Sequence, residues 1–275
     1  MDRTQMESLP PELQPFSAQL QQSQLPCVNI TAIPGKTALS QSKFLGLPYL
    51  PTTESYPIDS FGSPMLLLAQ LNFSEIPELP GYPRQGILQI FVSASEDVGH
   101  LYGADLSSFE SMQVQKGFQL RYYAPSQLEQ PCIIDFEFLR DLFADKSLCL
   151  PLEWECELTF AASHSIPSPD DYRFAKQMGE DFFENFGDKA DELRESYWQE
   201  FSGQGHRVGG YAYFTQEDPR LSAPEGEEWL LLLQIDSDDA AGIMWGDVGV
   251  AGFFIRPEDL ARHDFSRVVY SWDCC

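Results

Sequence analysis

Positive charge is scarce in this sequence. Lys and Arg number 17 against 42 Asp and Glu in 275 residues, a formal charge of −25. A field of that sign repels phosphate backbones and anionic lipid, which argues against nucleic acid and membrane surfaces as partners. The acids are also unevenly placed: from Asp135 onward there are 30 of them with 11 bases, so that part carries −19 and the remainder −6. Such a surface keeps a chain in solution, and it would attract a basic protein, the partner expected here.

Long apolar runs are missing too. LLLLQI at 230–235 falls far short of the roughly 18 residues that a membrane span needs. The start, MDRTQMESLPPELQPF, has no apolar run behind a basic segment. No signal peptide is expected, and the chain reads as cytoplasmic. Without secretion the two glycosylation sequons, at Asn29 and Asn72, have no consequence. The six cysteines, Cys27, Cys132, Cys149, Cys156, Cys274 and Cys275, show no Cys-x-x-Cys spacing, so free thiols are expected and structural zinc is not. Cys274 and Cys275 lack the spacing of a prenylation box and read as a reduced tail.

Catalytic signatures are likewise absent. There is no Gly-x-Ser-x-Gly elbow, no His-Glu-x-x-His pair and no phosphate loop. Gly203, Gly205 and Gly209 miss the dinucleotide spacing and follow a helix where that motif follows a strand. Asp236, Asp238, Asp239 and Asp247 suggest a calcium loop, but Ala240 and Ala241 fall where a ligand and the invariant glycine belong. They read as a solvated acidic turn. No metal, no cofactor and no catalytic residue is assigned.

What is present is the material of a core. Hydrophobic residues make up 43%, with 20 Phe, 11 Tyr and 5 Trp, and a chain this long is either two domains or one large duplicated one. Residues 1–26, rich in Pro, Gln and Ser, read as a peripheral arm, followed by a strand over 27–33. Apolar runs predict strands at 65–73, 86–93, 118–123, 149–160, 229–235, 249–256 and 267–272, while 132–142 mixes a strand period with a helical one. Ser168-Pro169-Asp170-Asp171 is a helix-start signal. From Ala175 through Met178, Phe182, Phe186, Ala190, Leu193 and Tyr197 to Phe201 an apolar stripe recurs at helical spacing, with Gly187 placed to split it.

Two parts of the chain match at three anchors. Gly46 answers Gly209, Gln70 answers Gln234 and Gly86 answers Gly249, with spacings that agree within one residue. Two copies paired about a pseudo-two-fold axis are expected, with Gln70 and Gln234 as buried amides bonded to backbone. The expected fold is therefore α+β and internally duplicated, with mainly antiparallel sheets and a helical insert before the second copy. Its parts are an arm and first strand over 1–42, a first β-rich copy over 43–160, the insert over 161–204 and a second copy over 205–275, together one compact domain.

Lys43 to Pro51, LLLAQLNF, GILQIFVS, His206 with Gly209-Gly210, Gln216 with Asp218-Pro219, LLLQIDSD and Trp245-Gly246-Asp247 together resemble the YwqG-like family of bacterial domains of unknown function. The resemblance covers the chain from about Lys43 onward. It implies an α+β fold with an internal duplication, no established activity, and an interaction role of the immunity type.

The densest stretch is GHRVGGYAYFTQEDPR, 205–220. Of the four histidines, only His206 stands beside glycines and an arginine. Its binding surface is expected to comprise His206, Arg207, Gly209, Gly210, Asp218, Trp245 and Asp247. Asp218 and Asp247 are the carboxylates expected to face the imidazole, a pairing that would let it work as acid or base near neutral pH. The leading reading is a non-enzymatic binding module with an acidic surface. The rival is a small-molecule or metal-dependent enzyme built on His206 and those carboxylates in the cleft between copies. A purely structural subunit of an assembly is a third.

Overall fold

The computed structural model describes residues 9–94, 101–145 and 148–275. They form an α+β fold: one curled, antiparallel, half-barrel sheet of ten strands with five α-helices. The strands are β1 (Leu25–Pro34), β2 (Lys43–Phe44), β3 (Leu66–Asn72), β4 (Ile87–Val92), β5 (Phe118–Tyr123), β6 (Cys156–Ser165), β7 (His206–Gly209), β8 (Leu230–Asp236), β9 (Val250–Ile255) and β10 (Val269–Asp273). Their order across the sheet is β10-β9-β8-β7-β1-β6-β2-β3-β4-β5. The continuous apolar runs of β3, β4, β8 and β9 are buried on both faces, as strands of that composition must be. Phe44, Leu68, Ile90, Leu233, Trp245 and Phe253 belong to the main core that they build.

The expected plural sheets are one sheet, because β1, near the start of the sequence, joins β6 and β7 from far downstream in its middle. β1 and β6 pair over their full length, from Leu25 against Ser165 to Pro34 against Cys156. β1 also pairs with β7, and β6 with β2. β6 runs past the expected end at Phe160, through Ala-Ala-Ser-His-Ser, where backbone pairing extends a strand that no apolar alternation marks. The ambiguous 132–142 segment makes a single bridge, Cys132 to Pro51, and then leads into the short helix α2 (Arg140–Ala144).

The sheet does not in itself show two duplicated units, but it contains two matched clamps. Gln70 Nε2 donates to the carbonyls of Leu39 and Gln41, and its Oε1 accepts from Tyr49 N. Gln234 Nε2 donates to the carbonyls of Gly203 and Gly205, and its Oε1 accepts from Tyr213 N, at identical sequence separations. Gln70 lies opposite Lys43 and Gln234 opposite Arg207, and each strand carries an irregularity just before its glutamine. Both amides are buried and bonded to backbone, as expected. One anchor shifts: Gly46 (φ 87°) corresponds to Gly210 (φ 77°), and Gly209 (φ 73°) corresponds to Leu45, which holds the same left-handed backbone at φ 56°.

The helices gather a second core. Phe174 of α3 (Arg173–Met178), Leu193, Tyr197 and Phe201 of α4 (Ala190–Phe201), and Phe182 and Phe183 between them are buried together. Leu9, Leu13 and Leu20 join them, the last from α1 (Ser17–Gln22), so the described part of the N-terminal segment packs on this second core. Gly187, at φ 58° and ψ −125°, ends one helical stretch before α4 begins. The last helix, α5 (Pro257–Ala261), follows β9. Ser168 starts only a turn; the α-helix begins at Arg173 because Asp171 faces inward to bind it.

Candidate functional site

β7 carries the two most conspicuous residues of the sequence, and strand alternation sends neighbours to opposite faces. His206 packs edge-on against Phe44 in the main core, with ring centroids 5.4 Å apart. Its Nδ1 accepts from Asp236 N at 3.0 Å, so the ring proton resides on Nε2. Nε2 is buried without a hydrogen bond, 3.6 Å from Asp238 Oδ2. Burial pushes the imidazole pKa down against the pull of Asp238, leaving His206 neutral at physiological pH.

The carboxylate beside His206 is thus Asp238, while the expected partners stand elsewhere. Asp247 is exposed on the loop before β9, where its carbonyl accepts from Cys275 N. Asp218 is spent on Arg220 and on Tyr172 N. Trp245 is wholly buried against Tyr102 and Trp272. Gly209 and Gly210 do permit a close approach, but the protein itself makes it: a Cβ on Gly210 would lie 2.3 Å from Ser165 Oγ, and one on Gly209 would lie 2.7 Å from Leu79 Cδ2. In the acidic turn Asp238 caps Ala240 N and Ala241 N, and Asp236 accepts from Gly205 N and Ser237 N. Among the described residues no group of three or more His, Cys, Asp or Glu side chains is placed to hold a metal.

Asp218 belongs to a buried network that fastens the helices to the sheet. Arg220 grips Asp218 through Nε and Nη2, at 2.9 and 2.7 Å, and reaches Asp171 at 2.9 Å. Arg173 grips Asp171 at 2.9 and 2.7 Å and donates to the carbonyl of Gly210. Asp171 also accepts from Ala212 N. The two guanidiniums hold its carboxyl far below the usual carboxylate range despite its burial. Arg220 is further stacked between Tyr172 and Phe254, at 4.6 and 4.5 Å. Two positive and two negative charges, mutually satisfied, make this a structural fastening.

Arg207 is different. It points to the other face of the sheet, into a cavity of about 500 Å³ between β1, β6 and the end of α4. Cys27, Asn29, Ser163, Ser202 and Gln204 line it with Arg207. The Arg207 side chain lies in a residue only 8% exposed, yet it makes one hydrogen bond, from Nη2 to the carbonyl of Gln204 at 2.7 Å. Its Nε is buried with no partner, and no carboxylate stands within ion-pair distance among the described residues. A guanidinium carries five N–H donors, so most of this one is unspent. Burial lowers its pKa, with Cys27 and Asp236 acting against that from beyond contact. The same burial raises the Cys27 thiol, which keeps it protonated.

At the matching place in the other flank stands Lys43, fully buried. Its Nζ donates to the carbonyls of Ala38 and Leu47, at 2.6 and 2.9 Å. Burial lowers its pKa to about 8, against the pull of Glu155 and Glu75. Lys43, Cys27, Ser163 and Asp238 escaped the reading of the sequence as site residues. The signal that finds the cavity is register, Asn29 opposite Arg207 and Cys27 opposite Ser163, which no local pattern carries.

A family model described as "Domain of unknown function (DUF1963)" matches residues 42–274. No curated protein matches the chain.

Proposed function

The chain belongs to the family of the domain of unknown function DUF1963, and from that premise we propose that it is a non-catalytic binding module whose ligand site is the cavity over β1, β6 and β7. The observation that carries the reading is Arg207, a buried cation facing a cavity with most of its donors unspent. Burying such a group costs several kcal/mol, of the order expected for an unpaired ion, unless something else compensates it. His206 and Asp218, the residues an acid–base mechanism would have used, are engaged inside the protein, which supports binding over catalysis.

The finer expectations belong to the same proposal. The matched clamps of Gln70 and Gln234 support an internal duplication of the kind the YwqG-like resemblance implies. Glu180, Asp181, Asp188, Asp191 and Glu195 are exposed on the helical segment and favour a basic protein partner, in an immunity-type role in the cytoplasm. Among the described residues no helix is long and apolar enough to cross a membrane.

The test fills the cavity. Ser163→Phe should abolish the thermal shifts that small ligands produce in the wild-type protein. Hits that shift both proteins equally would remove the cavity from consideration. For the partner, retention at low salt and release at high salt is expected in a pull-down, and no retention under either condition defeats that part.

A further inference from the structure

Taking the cavity as the binding site, we infer that it receives a small polar molecule through an oxyanion, a carboxylate or phosphate group, seated on the Arg207 guanidinium. The inference rests on what the guanidinium lacks. Among the described residues, each of the other buried arginines meets a carboxylate: Arg173 meets Asp171, and Arg220 meets both Asp171 and Asp218. Arg207 has only one backbone carbonyl, with Nε buried and free. A planar fork of N–H donors is shaped for the oxygens of a carboxylate or phosphate, and it binds them more strongly than a neutral acceptor.

The rest of the cavity suits the neutral part of such a molecule. Ser163 and Ser202 bring hydroxyls, and Asn29 and Gln199 bring amides. One carboxylate, Glu200, also lines the cavity; it is exposed and forms no ion pair with Arg207. Long-range attraction is not available, because the chain's charge of −25 repels an anion. Binding must then come from contact inside the cavity, which distinguishes this site from loose anion binding on a basic surface.

The structure also supplies an internal imitation of the ligand. Asn29 is directly opposite Arg207 in the β1–β7 pair and is exposed. Asn29→Asp would place a carboxylate across from the guanidinium and compete for it.

The experiment is heat unfolding of the full chain with millimolar gluconate, glucose 6-phosphate or glucose, at matched ionic strength, on wild type, Arg207→Met, Asn29→Asp and Ser163→Phe. Gluconate or glucose 6-phosphate is expected to raise the unfolding temperature of the wild type, and which of them does so separates a carboxylate from a phosphate ligand. Arg207→Met is expected to fold at least as stably and to weaken the response roughly 10- to 100-fold. Asn29→Asp is expected to unfold at a higher temperature and to lose the response. The inference is overturned if neither anion shifts the wild type, or if the shift survives in Arg207→Met. Should Arg207→Met fail to fold, an unchanged anion response in Asn29→Asp overturns it as well. If glucose shifts wild type and Arg207→Met equally but not Ser163→Phe, the oxyanion is refuted while the cavity stands as the binding site.

Discussion

Lys43 and Arg207 occupy corresponding places on the two flanks of one sheet, each opposite a buried glutamine, and they solve the same problem differently. Both hold a cation in a buried residue, Lys43 fully buried and Arg207 8% exposed. Lys43 is closed off by two carbonyls of its own chain, a local and complete solution. Arg207 faces a polar cavity and leaves most of its donors open. A shared backbone frame, with the same amide clamp and the same left-handed pair of residues, therefore supports a sealed position on one side and a receptive one on the other. Within the frame, Leu39 and Leu45 of the first flank stand where the second has Gly203 and Gly209.

The comparison can be broken most forcefully at Arg220, since the ion network serves only the second flank. Arg220→Met leaves Asp171 and Asp218 underpaired and should cost about 3–5 kcal/mol in chemical denaturation. A loss below about 1 kcal/mol would mean that the network is not what holds the helices there. The clamps come next. Gln234→Leu strands one buried N–H and two carbonyls, and Gln70→Leu strands the matching groups and an Nε2 donor of Gln89; each should cost about 2–4 kcal/mol. Near-equal losses would make the match energetic as well as geometric, whereas a wide gap would confine it to geometry.

Lys43 offers a pH test. Its folded-state proton leaves near pH 8, against 10.5 for an ordinary lysine. Below about 8 both states are charged and the burial penalty is complete; between 8 and 10.5 the unfolded state holds the extra proton, so stability rises with pH. Measured against Lys43→Met, the wild type should gain up to about 3 kcal/mol across that window. A pH-independent difference would show that Lys43 keeps an ordinary pKa. The smallest effect is expected at the open position: Arg207→Met should change stability by less than about 1 kcal/mol, or raise it. A large loss there would make Arg207 as structural as Lys43.

Much of the sheet was legible because β3, β4, β8 and β9 bury both faces and announce themselves as apolar runs. The central pair was not. β1 was recognised, but half of β6 is Ala161-Ala162-Ser163-His164-Ser165, whose place is set by pairing with Cys27 and its neighbours and not by hydrophobicity. The candidate site was half legible for the same reason. His206 and Arg207 stand out together in the text, yet a strand separates adjacent side chains, so one went to the core and the other to the cavity. Asp218 and Asp247 follow from the expected fold-over of the second copy, while the turn that carries Asp238 decides which carboxylate reaches the imidazole.

The interleaving of β1 and β6 also bears on how the chain comes together in time. β1 has no partner from its own flank; both its neighbours, β6 and β7, lie more than a hundred residues downstream. During synthesis β1 must therefore wait unpaired until Cys156–Ser165 has emerged, and with one open edge until His206–Gly209 follows, and closure of the middle demands long loops to be drawn in before it is rewarded. Folding should be slow for a protein of this size, and a chain cut before β6 should expose the edge of β1 to other molecules. The seam that unites the sheet waits on strands far downstream of the one that begins it.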